Sequence, residues 1–122
     1  MRIGIVGVCA AGKSTLAVAL QERGFDARQV SQEHSGVHDL WQRYSKVDVL
    51  IYLDVSLEVL RQRLQSPEWP GWLRDAQVQR LQHAREHCDL YIDTCEIPAE
   101  EVLARTLAFL AERGHRPQPP PP

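Results

Sequence analysis

The sequence predicts a three-layer α/β domain, in which helices cover both faces of a small parallel sheet of about four or five strands. Apolar segments that suit buried strands alternate along the chain with segments of helical periodicity. A glycine-rich turn at 7–15 separates the first of these strands from the first helix. The length of 122 residues is enough for one domain with its own core.

The first strand and the first helix flank this turn. Residues 1–6 form a short apolar run that suits a buried parallel strand. Residues 14–23 place apolar side chains at helical spacing, and Gly24 is a C-terminal stop signal. The turn therefore lies between a strand and a helix.

The later elements follow from the same kinds of pattern. Residues 47–55 are the strongest strand because their apolar run suits burial on both faces, and Ser56 can cap the next helix. Two prolines and a glycine exclude regular structure from 66–73. The remaining predictions are a strand at 25–30, a helix around 39–44, a helix at 74–87, a strand at 89–93 and a helix at 99–113.

The turn itself is a complete G-x-x-x-x-G-K-[ST] phosphate-binding loop, Gly-Val-Cys-Ala-Ala-Gly-Lys-Ser-Thr. In such a loop, backbone N–H groups surround a phosphate and the positive end of the next helix faces it. Lysine reaches the β- and γ-phosphates, and the serine hydroxyl binds Mg²⁺. The predicted phosphate contacts are Gly7, Ala10, Ala11, Gly12, Lys13, Ser14 and Thr15, with Ser14 also a metal ligand. A loop that no longer turns over nucleotide is the main alternative.

Composition narrows the classes of partner. The net charge of −2 gives no reason to expect nucleic acid or an anionic membrane as a partner, and no segment approaches the ~20 apolar residues of a membrane span. The three cysteines have no metal-site spacing, so we expect reduced thiols in a cytoplasmic protein. Cys9 is interpreted as a small packing residue of the loop.

With this loop and element order in place, the chain resembles compact P-loop kinases, the clan of nucleoside monophosphate, shikimate and gluconate kinases. The similar segments are 7–15, 49–64, and 89–94 with the helix start at 100–103. The resemblance implies a P-loop NTPase fold over residues 1–114. It also implies ATP and Mg²⁺ as ligands and a small-molecule acceptor as the second substrate. The proline-rich composition of residues 115–122 predicts a flexible, solvated tail.

The resemblance places residues 61–85 at the position of the lid. Lid arginines in these kinases neutralise the transferring phosphoryl group, since phosphoryl transfer depends on cancelling developing negative charge. Arg63 and Arg80 are the preferred pair here. The alternative is that these arginines lie on exposed helix faces and pair with acids or solvent.

Two carboxylates could serve the metal ion. Glu33 follows the second strand and Asp54 ends the strongest one, and the carboxyl ends of parallel strands face the ligand crevice. Glu33 could hold Mg²⁺ through water or act as a base towards an acceptor hydroxyl. Asp54 is the alternative, although the resemblance assigns it to a strand farther from the metal. Residues 31–35 could instead be a polar turn that caps the next helix.

The acceptor region is predicted at Gln32, His34 and Trp41. Only about twenty residues separate the second strand from the next, where these kinases usually have a further strand and a substrate-binding domain. Trp69 and Trp72 could stack on adenine or pack onto their own domain. No Asn/Thr-Lys-x-Asp motif is present, so adenine is the default base.

Three functions are compatible with these patterns. The first is an ATP- and Mg²⁺-dependent kinase with a reduced acceptor region, in which Lys13, Glu33, Arg63 and Arg80 are the catalytic candidates. The second is a nucleotide-binding protein without transfer activity, either a slow NTPase or a nucleotide-sensing module. The third is an interaction protein that docks through Trp69, Trp72 and the proline-rich tail.

Overall fold

The computed structural model describes residues 1–43 and 46–115. The described chain alternates strands and helices, with one 3₁₀ turn at Gln32–His34. The strands are β1 (Arg2–Gly7), β2 (Asp26–Gln29), β3 (Val49–Asp54) and β4 (Leu90–Asp93). The helices are α1 (Lys13–Glu22), α2 (Leu40–Arg43), α3 (Leu57–Leu64), α4 (Gly71–Arg80), α5 (Gln82–His87) and α6 (Ala99–Glu112).

The four strands form one parallel sheet in the order β2-β1-β3-β4. β1 therefore lies between β2 and β3, and its Gly4 is in register with Arg28 on one side and Leu50 on the other. Residues 3–8 and 49–53 are buried without interruption. Because neighbouring residues of a strand point to opposite faces, both faces of the sheet are covered. The α/β prediction with a small parallel sheet is confirmed.

The segment after α3 differs from its prediction. Regular structure was excluded from 66–73, but α4 begins at Gly71 with Pro70 as its N-cap residue. The exclusion was wrong for residues 71–73, because a proline just before a helix removes no intrahelical hydrogen bond. The single helix expected over 74–87 is two helices, which meet at Leu81. Residue 44 of the expected 39–44 helix and residues 116–122 of the tail lie outside the described residues.

The carboxyl ends of the four strands create one edge at which the candidate residues gather. The loop of residues 7–15 follows β1, and Glu33 follows β2 after three intervening residues. Asp54 is the last residue of β3, and Thr94 comes directly after β4. Ligands of open parallel sheets bind at this edge. The fold thus brings four distant parts of the sequence to one place.

Tyr52 on β3 is expected to make the stability of the fold decrease at alkaline pH. Its side chain is buried, and burial raises its pKa from 10.0 to about 12, with the charge of Asp54 adding in the same direction. The neutral phenol is favoured in the folded state, so this stabilisation is complete below pH 10 and is lost as the pH rises towards 12. We expect Tyr52 to lower the free energy of unfolding by about 1.4 kcal/mol per pH unit over this interval.

Urea unfolding at a series of pH values checks this expectation. Tyr52→Phe keeps the ring but has no ionisable group, so its stability should fall less steeply between pH 10 and 12. Tyr91, whose pKa is also raised by burial and by its hydrogen bond to Asp54, is present in both proteins and provides a common background. Equal slopes for the two proteins would contradict the assignment.

Candidate functional site

The loop after β1 turns sharply before it enters α1. Ala10 has φ of 61° and Gly12 has φ of 96°, both in the left-handed region. Gly12 is the N-cap residue of α1 and has no side chain to cap the helix. The first turn of α1 therefore ends in uncapped backbone N–H groups at the carboxyl edge of the sheet.

Most N–H groups of this turn have no acceptor among the described residues. The N–H of Cys9 donates to Gln77 Oε1 at 3.1 Å, and that of Ala11 donates to Val8 O at 3.3 Å. Five other N–H groups of the turn have no hydrogen-bond partner within residues 1–43 and 46–115. They are those of Ala10, Gly12, Lys13, Ser14 and Thr15. Such a set at the N-terminus of a ten-residue helix suits a bound phosphate.

Carbonyl groups of the loop, by contrast, have hydrogen-bond partners from later parts of the chain. Ala10 O accepts a hydrogen bond from Arg63 Nη1 at 2.8 Å, and Thr94 Oγ1 lies 3.2 Å from Ala11 O. Arg63 also donates to the hydroxyl and the carbonyl of Thr94. These contacts occupy the carbonyl oxygens of Ala10 and Ala11 with hydrogen-bond donors. An anion would thus meet N–H groups rather than carbonyl oxygens.

Lys13 and Glu33 form a buried ion pair at the base of the loop. Lys13 Nζ lies 2.7 Å from Glu33 Oε2, and the two residues are 8% and 4% exposed. The same ammonium donates to Gly7 O at 2.8 Å and to Val8 O at 2.9 Å, so its three hydrogens are all used. A phosphate that reaches Lys13 must therefore compete with Glu33.

The other oxygen of Glu33 is in a different situation. Glu33 Oε1 is buried and has no hydrogen-bond partner among the described residues. An unpaired buried carboxylate oxygen is costly unless a donor or a cation meets it. Glu33, predicted as a metal-serving acid, thus offers an oxygen for that role.

Asp54, the alternative metal residue, is already occupied. Its Oδ1 lies 2.8 Å from Val55 N and 3.4 Å from Arg74 Nη2, and its Oδ2 accepts a hydrogen bond from Tyr91 at 2.6 Å. Asp54 also lies on the opposite side of β1 from the β2 segment that leads to Glu33. Both oxygens of Asp54 therefore have partners, whereas Glu33 Oε1 has none among the described residues.

The two arginines predicted for the lid each donate a hydrogen bond to a backbone carbonyl group of a candidate site residue. Arg63 is an exposed residue that binds the loop at Ala10 O and also binds Thr94, as described above. Arg80 Nη1 donates to Glu33 O at 3.2 Å and is half-buried. Each arginine thus contacts the backbone of a candidate site residue. Arg63 contacts the loop itself, whereas Arg80 contacts the 3₁₀ turn.

The three predicted acceptor residues separate into two groups. Gln32 is fully buried, and it binds Val37 O at 2.6 Å and Trp41 N at 2.9 Å. Trp41 is buried and donates its indole N–H to His83 Nδ1 at 3.1 Å. Since their polar groups are satisfied inside the fold, we assign these two residues a structural role. His34 is exposed, and its Nε2 lies 3.9 Å from Glu33 Oε2.

Sequence inspection missed two residues that support the loop, Gln77 and Thr94. Gln77 is 1% exposed, and its amide accepts from Cys9 N at 3.1 Å and donates to Cys9 Sγ at 3.0 Å. No local pattern distinguishes Gln77 from the other polar residues of its helix. Thr94 had a usable signal, because it directly follows a predicted strand at the edge where ligands bind.

A mainly apolar cleft of about 430 Å³ adjoins the loop. Gly12 and Thr15 line it at the start of α1, and Arg63 of α3 and Thr94 after β4 also line it. Its apolar walls include Leu16, Ile97, Val102 and Leu103. Trp69 packs against the core instead, and Trp72 is 71% exposed; neither tryptophan lines the cleft.

Comparison with known proteins assigns no family to this chain. No protein-family model matches it, and no curated protein matches it. Among the described residues, no helix is both long enough and apolar enough to cross a bilayer.

Proposed function

We propose that this protein is an ATP- and Mg²⁺-dependent small-molecule or nucleotide kinase of the P-loop NTPase fold, with a reduced acceptor region. The observation that supports this proposal is the loop, in which five backbone N–H groups have no partner among the described residues. Its carbonyl groups at Gly7, Val8, Ala10 and Ala11 already accept hydrogen bonds. A P-loop sequence with this backbone geometry provides a site for the β-phosphate of a nucleotide. Its three cysteines are free thiols, which suits a cytoplasmic location.

The adjoining cleft supports a nucleotide rather than inorganic phosphate as the ligand. Pockets for small molecules are concave and mostly apolar, with volumes of about 300–1,000 Å³. The cleft of about 430 Å³ begins at Gly12 and Thr15, where α1 starts, and continues between Leu16 and Ile97. A nucleoside in this cleft would place its phosphates on the loop. Adenine is the default base, and apolar walls suit its faces.

The residues also fit a magnesium ion. Ser14 is exposed at the start of α1, and its hydroxyl makes no hydrogen bond to the described residues. Glu33 Oε1 is a hard oxygen donor without a partner in the described chain, which is the kind of ligand that Mg²⁺ prefers. Ser14 would bind the ion, and Glu33 would hold it through water. A bound Mg²⁺ supplies positive charge to the phosphates.

The remaining roles follow from position. Lys13 binds phosphate after it leaves Glu33, and the freed carboxylate can then accept a proton from an acceptor hydroxyl. His34 is exposed beside Glu33 and can contact that acceptor. Arg63 holds the loop and lines the cleft, so it is placed to follow the phosphates of a bound nucleotide.

One observation favours a second candidate, a nucleotide-binding protein without transfer activity. Gln32 and Trp41 use their polar groups inside the fold. His34 is then the one predicted acceptor contact whose side chain is exposed. A site with so few acceptor contacts could bind a nucleotide and change its own conformation without transferring phosphate.

Calorimetry followed by a transfer assay separates the two candidates. ATP, ADP and GTP are first titrated with Mg²⁺, and ATP is then incubated with a panel of nucleosides, nucleotides and small hydroxy acids. Acceptor-dependent ADP release supports the kinase. Nucleotide binding with only trace hydrolysis supports the second candidate. If none of the three nucleotides binds, both candidates are rejected.

A further inference from the structure

Three potential metal ligands lie close together where the phosphate-binding loop meets the 3₁₀ turn after β2. Cys9 comes from the loop, and Glu33 and His34 come from the 3₁₀ turn that follows β2. One ligand atom from each, namely the thiol sulfur, a carboxylate oxygen and an imidazole nitrogen, lies within 4.8 Å of the other two. The sequence separation of 24 residues between Cys9 and Glu33 matches none of the familiar metal-binding spacings.

Glu33 is the residue that points to a ligand. It is 4% exposed, and its Oε1 has no partner among the described residues, while its Oε2 is held by Lys13. Nearly all buried polar atoms of folded proteins find a partner. The carboxylate therefore has one oxygen bound to an internal cation and one buried oxygen available for another.

The donor set matches borderline-soft divalent cations better than Mg²⁺. Zn²⁺ and Co²⁺ accept thiolate, imidazole and carboxylate ligands, whereas Mg²⁺ prefers oxygen ligands alone. Gln77 donates its amide N–H to Cys9 Sγ at 3.0 Å, which is the kind of outer contact that orients a metal ligand. Tetrahedral binding requires the three donors to move together by about 1 Å. The exposed His34 side chain is free to supply that movement.

We propose that Cys9, Glu33 and His34 bind one Zn²⁺-class divalent cation behind the phosphate-binding loop, with a fourth coordination position left open. On binding, the thiol of Cys9 releases its proton to solvent and the thiolate becomes a ligand. The cation and the ammonium of Lys13 then share Glu33, which weakens the Lys13–Glu33 pair.

A regulatory consequence follows, and it rests on the function proposed above. The cation would occupy Glu33, the residue that serves Mg²⁺ in the kinase, and it would bind Cys9 inside the loop that holds phosphate. Zn²⁺ and Mg²⁺–nucleotide are thus expected to exclude each other. The class of ligand that regulates this site is a thiophilic metal ion.

Co²⁺ is the probe, because thiolate ligation gives it a charge-transfer band in the near ultraviolet. Titration of the reduced full-length protein should end at one Co²⁺ per chain, and Zn²⁺ should displace the band. Cys9→Ala should remove the band, whereas Cys88→Ala and Cys95→Ala, its matched controls, should retain it. His34→Ala should weaken Co²⁺ binding about tenfold or more, because it removes one of three protein ligands.

Several results would overturn the metal site. These are the absence of a charge-transfer band in the wild type, its survival in Cys9→Ala, or unchanged Co²⁺ affinity in His34→Ala. His34 is exposed, so its variant is expected to fold even where Cys9→Ala does not. A separate titration with ADP and Mg²⁺ in the absence of Co²⁺ tests the nucleotide site. If ADP binds in its titration and Co²⁺ fails to bind in the other, only the metal site is rejected. If Co²⁺ binds and ADP does not, only the proposed function is rejected.

Discussion

Lys13→Met is expected to weaken ADP binding by at least about 100-fold, which corresponds to roughly 2.8 kcal/mol. The substitution removes the ammonium at the base of the loop but leaves the backbone N–H groups in place. It also leaves Glu33 buried with no partner for Oε2, in addition to the unpaired Oε1. Removing one partner of a buried pair typically costs about 3–5 kcal/mol of stability, so the variant should also unfold more easily.

A double substitution separates the two effects. Lys13→Met with Glu33→Gln removes both charges of the pair and replaces the buried carboxylate with a neutral amide. We expect urea unfolding to show that this protein recovers much of the stability lost in Lys13→Met, because no uncompensated charge remains. Calorimetry should show that ADP binding stays weak, because the phosphate contact is still missing. If Lys13→Met alone bound ADP as tightly as the wild type, the proposed phosphate site would be wrong.

Gly7→Ala is expected to be the most damaging single change to the fold. Gly7 is in register with Leu53 of the neighbouring strand β3. A Cβ at Gly7 would clash directly with the carbonyl oxygen of Leu53 and would lie 3.1 Å from its carbonyl carbon. A backbone atom in a central strand cannot move aside as a flexible side chain can. The expected loss is at least about 3 kcal/mol in the free energy of unfolding.

Gly36→Ala is the matched control for this substitution. Apart from its two chain neighbours, no atom of the described residues lies within 4 Å of a Cβ placed at Gly36, and Gly36 is not among the described glycines with positive φ. Its thermal midpoint should therefore stay close to that of the wild type, or rise slightly because the unfolded chain loses freedom. A Gly7→Ala protein as stable as Gly36→Ala would show that β1 and β3 do not approach each other as closely as described.

Much of the fold could be predicted because its signals are local. The buried strand at 49–54 was recognisable from an unbroken apolar run, and the start of α3 from the capping residue Ser56. Errors occurred where local signals conflict. Pro70 and Gly71 are typical of a turn, yet they form the start of α4 because a proline is tolerated at a helix N-terminus.

The candidate site could be predicted only in part. The loop was identifiable from its own nine residues, and Glu33 from its position after a strand. Gln32 and Trp41 have the same kind of position, but the structure turns them inwards, where each satisfies hydrogen-bonding groups of the core. Whether a polar residue after a strand faces the crevice or the core depends on the turn that follows it.

The sequence by itself determined the alternation of strands and helices and the sharp turn between β1 and α1, because periodicity, capping and backbone freedom act over a few neighbouring residues. The tertiary structure alone decided which acid meets Lys13. Placing β1 between β2 and β3 brings Glu33 to the ammonium, while Asp54 is bound to Arg74 and Tyr91. It also decided that Gln77 holds Cys9, 68 residues away. Such contacts depend on strand order and helix packing. These are selected because they minimise the free energy of the whole chain, and no local sequence pattern encodes them.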